Sequence, residues 1–175
     1  EKKKKKKTKM GAFCKVIDAV LFMYFAFMAV VAPLVDGQMA LPGAIFPTFL
    51  TDLNLWYIAE FGDYLSAEKP HFVVGLIWHE LLLLWPISIA NVYAILAGKS
   101  WFGTTSMVYG ASVVTSMAAI LAELIGSGKA TEKLLMMYVP FMGFGILSLL
   151  RGLVAQSDGS SGGKRPIVLA RRKRA

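Results

Sequence analysis

The sequence of 175 residues contains a single cysteine, Cys14, and only two histidines, His71 and His79. One thiol excludes a disulfide framework within the chain and any zinc site built from several cysteines. His79 and Glu80 start like the helix of a zinc protease, but Leu83 stands where the second histidine would be needed. The sequence therefore predicts no metal site and no cofactor.

Charged residues are also scarce. They make up 17% of the chain, against roughly a quarter in a typical soluble domain, whereas 56% of the residues are apolar. Most of the 19 lysines and arginines lie at or before Lys15 or at or after Arg151. Basic ends that flank long apolar runs are typical of membrane proteins. The net charge of +8 therefore indicates contact with a lipid bilayer and not a nucleic-acid partner.

Four apolar runs are long enough to cross about 30 Å of hydrocarbon, which takes roughly 17 to 25 helical residues. They lie at 19–35, 72–97, 102–125 and 134–150. Because an isolated strand cannot satisfy its backbone hydrogen bonds in lipid, each run is predicted to be a helix. The predicted fold is an all-α bundle of four transmembrane helices, with spans near 12–34, 71–97, 102–125 and 132–151.

The bundle is predicted to occupy residues 10–155. The lysine run before it cannot pack into a core, so residues 1–9 are predicted to form a disordered basic arm. Residues 156–175 contain a Gly/Ser linker and a basic end, which predicts a flexible tail. Residues 36–69 carry several acids and only one lysine, whereas both tails are basic. The positive-inside rule therefore predicts that both termini lie in the cytosol.

Two carboxylic acids are predicted to meet inside the membrane. Glu80 lies about nine residues into the second span, roughly 13 Å from its end. Asp36 follows Pro33, where the first helix is expected to break. Two carboxyls in one site would share a proton, and the remaining charge would attract a cationic amine or polarise a hydroxyl. The alternatives are a turn role for Asp36 in its Asp-Gly context, and for Glu80 a protonated carboxyl satisfied by a neighbouring helix.

Three further side chains are candidates for the same site. His79 adjoins Glu80, but adjacent helical residues face about 100° apart, so a hydrogen bond to another helix is the alternative for His79. Trp56 and Tyr57 suit the membrane boundary, where aromatic residues with a polar tip are enriched. For both of them the alternative to ligand contact is simple interfacial anchoring.

Several short motifs stand out: DGQMALP at 36–42, LWY at 55–57, EFGD at 60–63, WHEL at 78–81 and WP at 85–86. Together they resemble the sigma-2 receptor group of the emopamil-binding (EXPERA) superfamily, over about residues 10–150. The resemblance implies a four-helix fold in the endoplasmic reticulum membrane. It also implies a cavity, open to the bilayer, that binds sterols and cationic amphiphiles in the context of sterol homeostasis.

The resemblance further implies that Asp36 takes the position that binds a ligand amine, that Glu80 is its hydrogen-bonded partner and that Asp63 stabilises a loop. The predicted ligand-binding set is Asp36, Gln38, Trp56, Tyr57, His79 and Glu80, with no catalytic residue. The implied partners are a sterol or other lipid, the bilayer, a second copy of the chain and a sterol-transport membrane protein.

An enzymatic branch of the same superfamily, the sterol delta-8 to delta-7 isomerase, provides one alternative. That branch carries a histidine and a glutamate one helical turn apart on an early helix, and no His-x-x-x-Glu pair exists here. Asp36 and Glu80 would have to divide the acid and base roles between them. The other alternative is a structural membrane protein whose acids only pair helices. Ligand binding without turnover is the favoured prediction.

The chain ends in Arg172-Lys173-Arg174-Ala175, which resembles the dibasic retrieval signal of endoplasmic reticulum membrane proteins. We expect that appending a few uncharged residues after Ala175 releases the protein from the reticulum, as fluorescence microscopy of a labelled chain would measure. The alternative is that the basic end only anchors the chain to anionic lipid, at about 1 kcal/mol per basic residue, and the extension would then leave the location unchanged. Retention of the extended chain would contradict the retrieval signal.

Overall fold

The computed structural model describes the backbone of residues 2–161 and the side chains of residues 13–157. The α-helices of this part are α1 Lys2–Leu34, α2 Thr48–Phe61, α3 Tyr64–Glu68, α4 His71–His79, α5 Trp85–Leu96, α6 Phe102–Gly126 and α7 Glu132–Ser161. Short 3-10 turns at Asp36–Met39 and Gly43–Ile45 connect α1 to α2. One turn of π-helix, Glu80–Leu84, joins α4 to α5. Residues 2–161 contain no strand.

Four segments are long and apolar enough to cross a membrane: Phe13–Met39, His71–Leu96, Phe102–Gly126 and Glu132–Ser157. The predicted all-α fold with four transmembrane helices is confirmed. The first segment extends past residue 34 because the 3-10 turn that contains Asp36 continues it. The domain limits at residues 10 and 155 and the cytosolic placement of the termini stay predictions. The retrieval motif at 172–175 lies outside the described residues.

Helices α6 and α7 form an antiparallel pair that packs backbone against backbone. Each helix carries a glycine, a serine and a second glycine at the same spacing, at Gly103, Ser106 and Gly110 on α6 and at Gly145, Ser148 and Gly152 on α7. The two serine hydroxyls lie 2.9 Å apart, and each also reaches the backbone carbonyl of the other serine. A methyl group on any of these four glycines would overlap the facing helix. Small residues therefore set the spacing of this pair.

An ion pair joins the first and last spans at the end of the bundle opposite to α2. Arg151 Nε and Nη2 lie 2.6 and 3.0 Å from the two carboxylate oxygens of Asp18. Both side chains are largely buried, which makes a bidentate pair stronger than an exposed one. Further along the same helices, the rings of Tyr24 and Phe144 stack with their centroids 4.5 Å apart. These contacts fix α1 against α7.

A hydrogen bond ties α1 to α5 near the middle of the bundle. Pro33 lies inside α1 and has no N–H, so the carbonyl of Ala29, four residues earlier, loses its helical donor. The indole Nε1 of Trp85 donates to this carbonyl at 2.9 Å. Trp85 ends the π turn, because its backbone N–H donates to the carbonyl of Glu80 five residues earlier. The widened turn directly precedes Pro86, whose ring disfavours a regular helical turn before it.

Replacing Trp85 with Phe should lower the free energy of unfolding by about 1–3 kcal/mol, because the Ala29 carbonyl would lose its donor inside an apolar layer. Pro33→Ala restores an N–H four residues after Ala29, so the loss should be smaller in that background. Thermal unfolding of the single and double variants in detergent measures the coupling. Trp78→Phe, which alters an exposed indole one helix earlier, is the matched control. A loss from Trp85→Phe that is the same with and without Pro33→Ala would contradict this bond's role.

Candidate ligand-binding site

The segment between α1 and α4 folds over one end of the bundle, and α2 is its main element. Phe49, Leu53 and Trp56 follow one another at helical spacing and form an exposed apolar face. Asn54 and Tyr57 lie on the other face of α2 and line a cavity. We call α2 the cover, because it presents Asn54 and Tyr57 to the interior of the site and an apolar face outward.

Gln38 fastens the cover to α1. Its Nε2 donates to the backbone carbonyl of Leu34 at 2.7 Å and to that of Leu50 at 3.3 Å. The side chain is buried, and both hydrogens of its amide are used in these two bonds. The structure therefore places Gln38 as a brace between α1 and α2, and its ligand contact stays a prediction.

Thr131, just before α7, and Lys133 in its first turn hold the other end of the cover. Thr131 Oγ1 donates to the carbonyl of Phe61 at 2.8 Å. Lys133 Nζ donates to Glu60 at 2.7 Å, and this hydrogen bond lowers the pKa of the exposed Glu60 carboxyl. An exposed ion pair contributes little stability. The cover is therefore held mainly by the hydrogen bonds that Gln38 and Thr131 donate to backbone carbonyls at its two ends.

Asp63 follows the cover and is buried with its carboxylate fully hydrogen-bonded. Its Oδ1 accepts the backbone N–H groups of Leu65 and Ser66 at 3.1 and 3.2 Å, which caps the start of α3. Its Oδ2 accepts the hydroxyls of Ser66 at 2.7 Å and Tyr138 at 2.9 Å. Four donors satisfy the charge, and the last of them ties the loop after the cover to α7.

Three adjoining cavities lie beneath the cover and between the helices. The outer cavity, about 270 Å³, has Asp36 and Tyr57 in its wall. The middle cavity, about 90 Å³, has both Asp36 and Glu80 in its wall. The inner cavity, about 50 Å³, has Glu80 and Ser116 in its wall. Phe141 of α7 borders all three cavities, so they follow one another along this side chain.

The structure thus brings Asp36 and Glu80 to one cavity, where the sequence prediction had paired them. Asp36 is the first residue of the 3-10 turn that continues α1, and Glu80 is the first residue of the π turn. The rest of the middle cavity's wall is almost entirely apolar; besides Tyr138 it contains methionines, Leu65, Val73, Ile77, Ile120 and Phe141. An apolar wall that holds two carboxyls favours a ligand that brings positive charge.

Tyr57 supplies a hydroxyl to the wall of the outer cavity. Burial, followed by the nearby charges of Asp63 and Asp36, raises the pKa of the Tyr57 phenol. The phenol therefore stays neutral and able to donate a hydrogen bond. Its ring packs against that of Phe61 with centroids 4.9 Å apart, which holds Tyr57 on the inner face of the cover.

Two other predicted residues do not meet the carboxyl pair. Trp56 lies on the outer face of the cover and is 58% exposed, as an interfacial anchor would be. His79 borders none of the three cavities, although it adjoins Glu80 in the chain. Its Nδ1 is buried and has no hydrogen-bond partner among residues 13–157, so the interhelical bond suggested for His79 is not made through that atom.

Sequence reasoning missed the contribution of α7. Tyr138 borders the outer and middle cavities, and Phe141 borders these and the inner one. The two residues stand three positions apart on one face of α7, on either side of Pro140. An aromatic pair at this spacing is equally typical of a packed core, so the pattern alone gave no reason to single it out.

Comparison with known proteins adds three findings. The model of the EXPERA (EXPanded EBP superfamily) family matches residues 49–152. The chain is 30% identical over 117 residues to Sigma intracellular receptor 2 of Xenopus tropicalis. This match covers 66% of this chain and 68% of that protein. It is 27% identical over 112 residues to Sigma intracellular receptor 2 of Homo sapiens, and this match covers 63% of this chain and 64% of the human protein. The match with the human protein thus spans slightly less than two thirds of its length.

Asp63→Asn should lower the free energy of unfolding by about 1–3 kcal/mol, because an amide nitrogen cannot accept hydroxyls as a carboxylate oxygen does. Tyr138→Phe removes one of the same bonds, so the double variant should lose less than the sum of the two single losses. Thermal unfolding measures all three variants. Asp52→Asn, at an exposed position on α2, is the control. Strictly additive losses would contradict a shared bond.

Proposed function

The chain belongs to the EXPERA (EXPanded EBP superfamily) family, and on that premise we propose that it binds sterols and cationic amphiphiles in the cavity between Asp36 and Glu80. One observation carries the proposal: two carboxyls line a single cavity whose wall is otherwise largely apolar. The third acid of this region, Asp63, already accepts four hydrogen bonds. Asp36 and Glu80 are therefore the acids left to meet an ammonium group.

The shape of the site supports the same class of ligand. An amine in the middle cavity would contact the carboxyl pair, and its apolar body would extend into the outer cavity beneath the cover. Small-molecule sites are typically mostly apolar, with a few placed polar groups and volumes from roughly 300 Å³ upward. Tyr57 and Tyr138 supply neutral hydroxyls along this path, which a sterol hydroxyl would also use.

The proposed setting is the endoplasmic reticulum membrane, with both termini in the cytosol and the cover on the luminal side. The basic ends and the acidic segment between the first two spans support this orientation. The relatives are named as intracellular receptors, which agrees with ligand binding on an internal membrane. A role in sterol homeostasis or trafficking follows, with a second copy of the chain and a sterol-transport membrane protein as proposed partners.

Asp36→Asn and Glu80→Gln should each weaken binding of a cationic amphiphile by about 2 kcal/mol or more, roughly 30-fold, because the ammonium loses a charged partner in a low-dielectric cavity. Asp36→Asn should have the larger effect. Equilibrium binding of a labelled amine to purified protein in nanodiscs measures both. Asp52→Asn removes an exposed acid from the outer part of the cover and should leave the affinity unchanged.

Binding of both variants within a factor of two of the unmodified protein would contradict the shared-carboxyl site. A turnover assay with a delta-8 sterol on the same preparation separates binding from isomerisation. Conversion of that sterol by the unmodified protein, lost in both variants, would favour the isomerase alternative. The absence of conversion alongside carboxyl-dependent binding would support the proposed function.

A further inference from the structure

Asn54 presents an amide to the outer cavity, which is the largest of the three beneath the cover at about 270 Å³. It lies on the inner face of α2, one turn after the buried Leu50 and one turn before Tyr57. The amide offers two donors and an acceptor, yet it makes no hydrogen bond to the side chains or backbone described between residues 13 and 157. An amide in a largely apolar cavity is unfavourable unless water or a ligand bonds to it. Asn54 is therefore a candidate contact for a polar group of the ligand.

The other polar groups in the wall of the outer cavity differ in whether they are already bonded. Asp63 and the two hydroxyls that donate to it satisfy one another. Asp36 is the proposed partner of an amine. The phenol of Tyr57, like the amide of Asn54, has no hydrogen-bond partner within the part of the chain whose side chains are described. These two residues stand three positions apart on one helical face, so one ligand group can reach both.

The depth of the outer cavity matches the depth of a sterol hydroxyl in a bilayer. The cavity lies directly beneath the cover, and the exposed Trp56 on the outer face of the cover is typical of the membrane boundary. A sterol in a leaflet keeps its hydroxyl at this level, because a hydroxyl without a partner is costly in hydrocarbon. A neutral amide suits this group, since a hydroxyl both donates and accepts, whereas an ammonium only donates.

We propose that Asn54 binds the hydroxyl of a sterol beneath the cover and thereby distinguishes a hydroxyl-bearing sterol from its deoxygenated analogue. The contact rests on the proposed function, because the ring system of the sterol extends from the outer cavity along Phe141 into the middle cavity. Asp36 and Glu80 bind an amine, and Asn54 binds a hydroxyl at a different point of the site. The two ligand classes therefore depend on different side chains.

Three labelled ligands test the contact by equilibrium binding in nanodiscs: a 3-hydroxysterol, the same sterol without its oxygen, and a compact tertiary amine without a hydroxyl. Asn54→Leu should reduce the preference for the hydroxysterol over the deoxygenated sterol about five- to tenfold, as expected for one lost hydrogen bond. The affinity of this variant for the amine should stay unchanged. Because all variants are compared in the same nanodiscs, the different partitioning of the two sterols into lipid cancels.

Asn54→Leu should fold, because leucine has a similar volume, favours a helix and extends the apolar inner face of α2 that Leu50 begins. Thermal unfolding in detergent checks this. Asn54→Ala measures the same preference in a variant that introduces no new side-chain contact, and it should show a loss of similar size.

Thr51→Ala is the matched control. Thr51 lies on α2 one turn before Asn54, and its hydroxyl donates to the carbonyl of Thr48 at 2.7 Å. It borders none of the three cavities. This variant should keep the full preference for the hydroxysterol. A loss of equal size in Thr51→Ala and Asn54→Leu would overturn the assignment, since it would reflect a general effect on the cover.

The two proposals fail in different ways. If the amine binds independently of Asp36 and Glu80, the proposed carboxyl site is wrong, whatever the sterols do. If the amine binds through the carboxyl pair but the preference for the hydroxysterol persists in both Asn54 variants, the Asn54 contact is wrong and the carboxyl site stands. Failure of the unmodified protein to bind the hydroxysterol also overturns the contact. A preference lost in Asn54→Leu and Asn54→Ala, with amine affinity retained, supports it.

Discussion

The hydrogen bond from the Trp85 indole to the Ala29 carbonyl links the two elements on which the candidate site depends. Lipid cannot satisfy a backbone carbonyl, so the donor that Pro33 removes from α1 has to come from within the protein. Trp85 provides it and thereby holds the helix that leads to Asp36 against the turn that begins at Glu80. The hydrogen bond that compensates for the N–H missing at Pro33 of α1 thus also positions the carboxyl pair.

The cavities lie between two closely associated pairs of helices. Glycines and two paired serines bring α6 and α7 together, and the Trp85 bond joins α1 to α5. The inner cavity has walls from α1, the α4 region, α6 and α7, so it occupies the space between these pairs. Packing of α6 against α7 is close because its small residues allow it. Between the pairs, larger and flexible side chains leave the space that a ligand needs.

The acidic side chains among residues 13–157 differ in the groups that they contact. Asp18 binds Arg151 at one end of the bundle, Glu60 and Glu68 pair with lysines at the surface, and Asp63 accepts four hydrogen bonds. Asp63 also lines the outer cavity, but only Asp36 and Glu80 border the middle cavity. A buried acid that already has its donors contributes to structure, whereas an acid that faces empty space can bind a ligand. This difference in partners, more than burial, supports the proposed function.

The sequence by itself determined the four helices and the meeting of Asp36 with Glu80, because hydropathy, proline position and charge asymmetry act locally and along one axis. It did not determine which face of each helix borders the cavity. Gln38 became a brace, Trp56 faces outward, and Tyr138, Phe141 and Ser116 entered the walls. Those outcomes depend on the rotation of each helix about its own axis. Only contacts between distant residues, such as the glycine pairs of α6 and α7, fix that rotation.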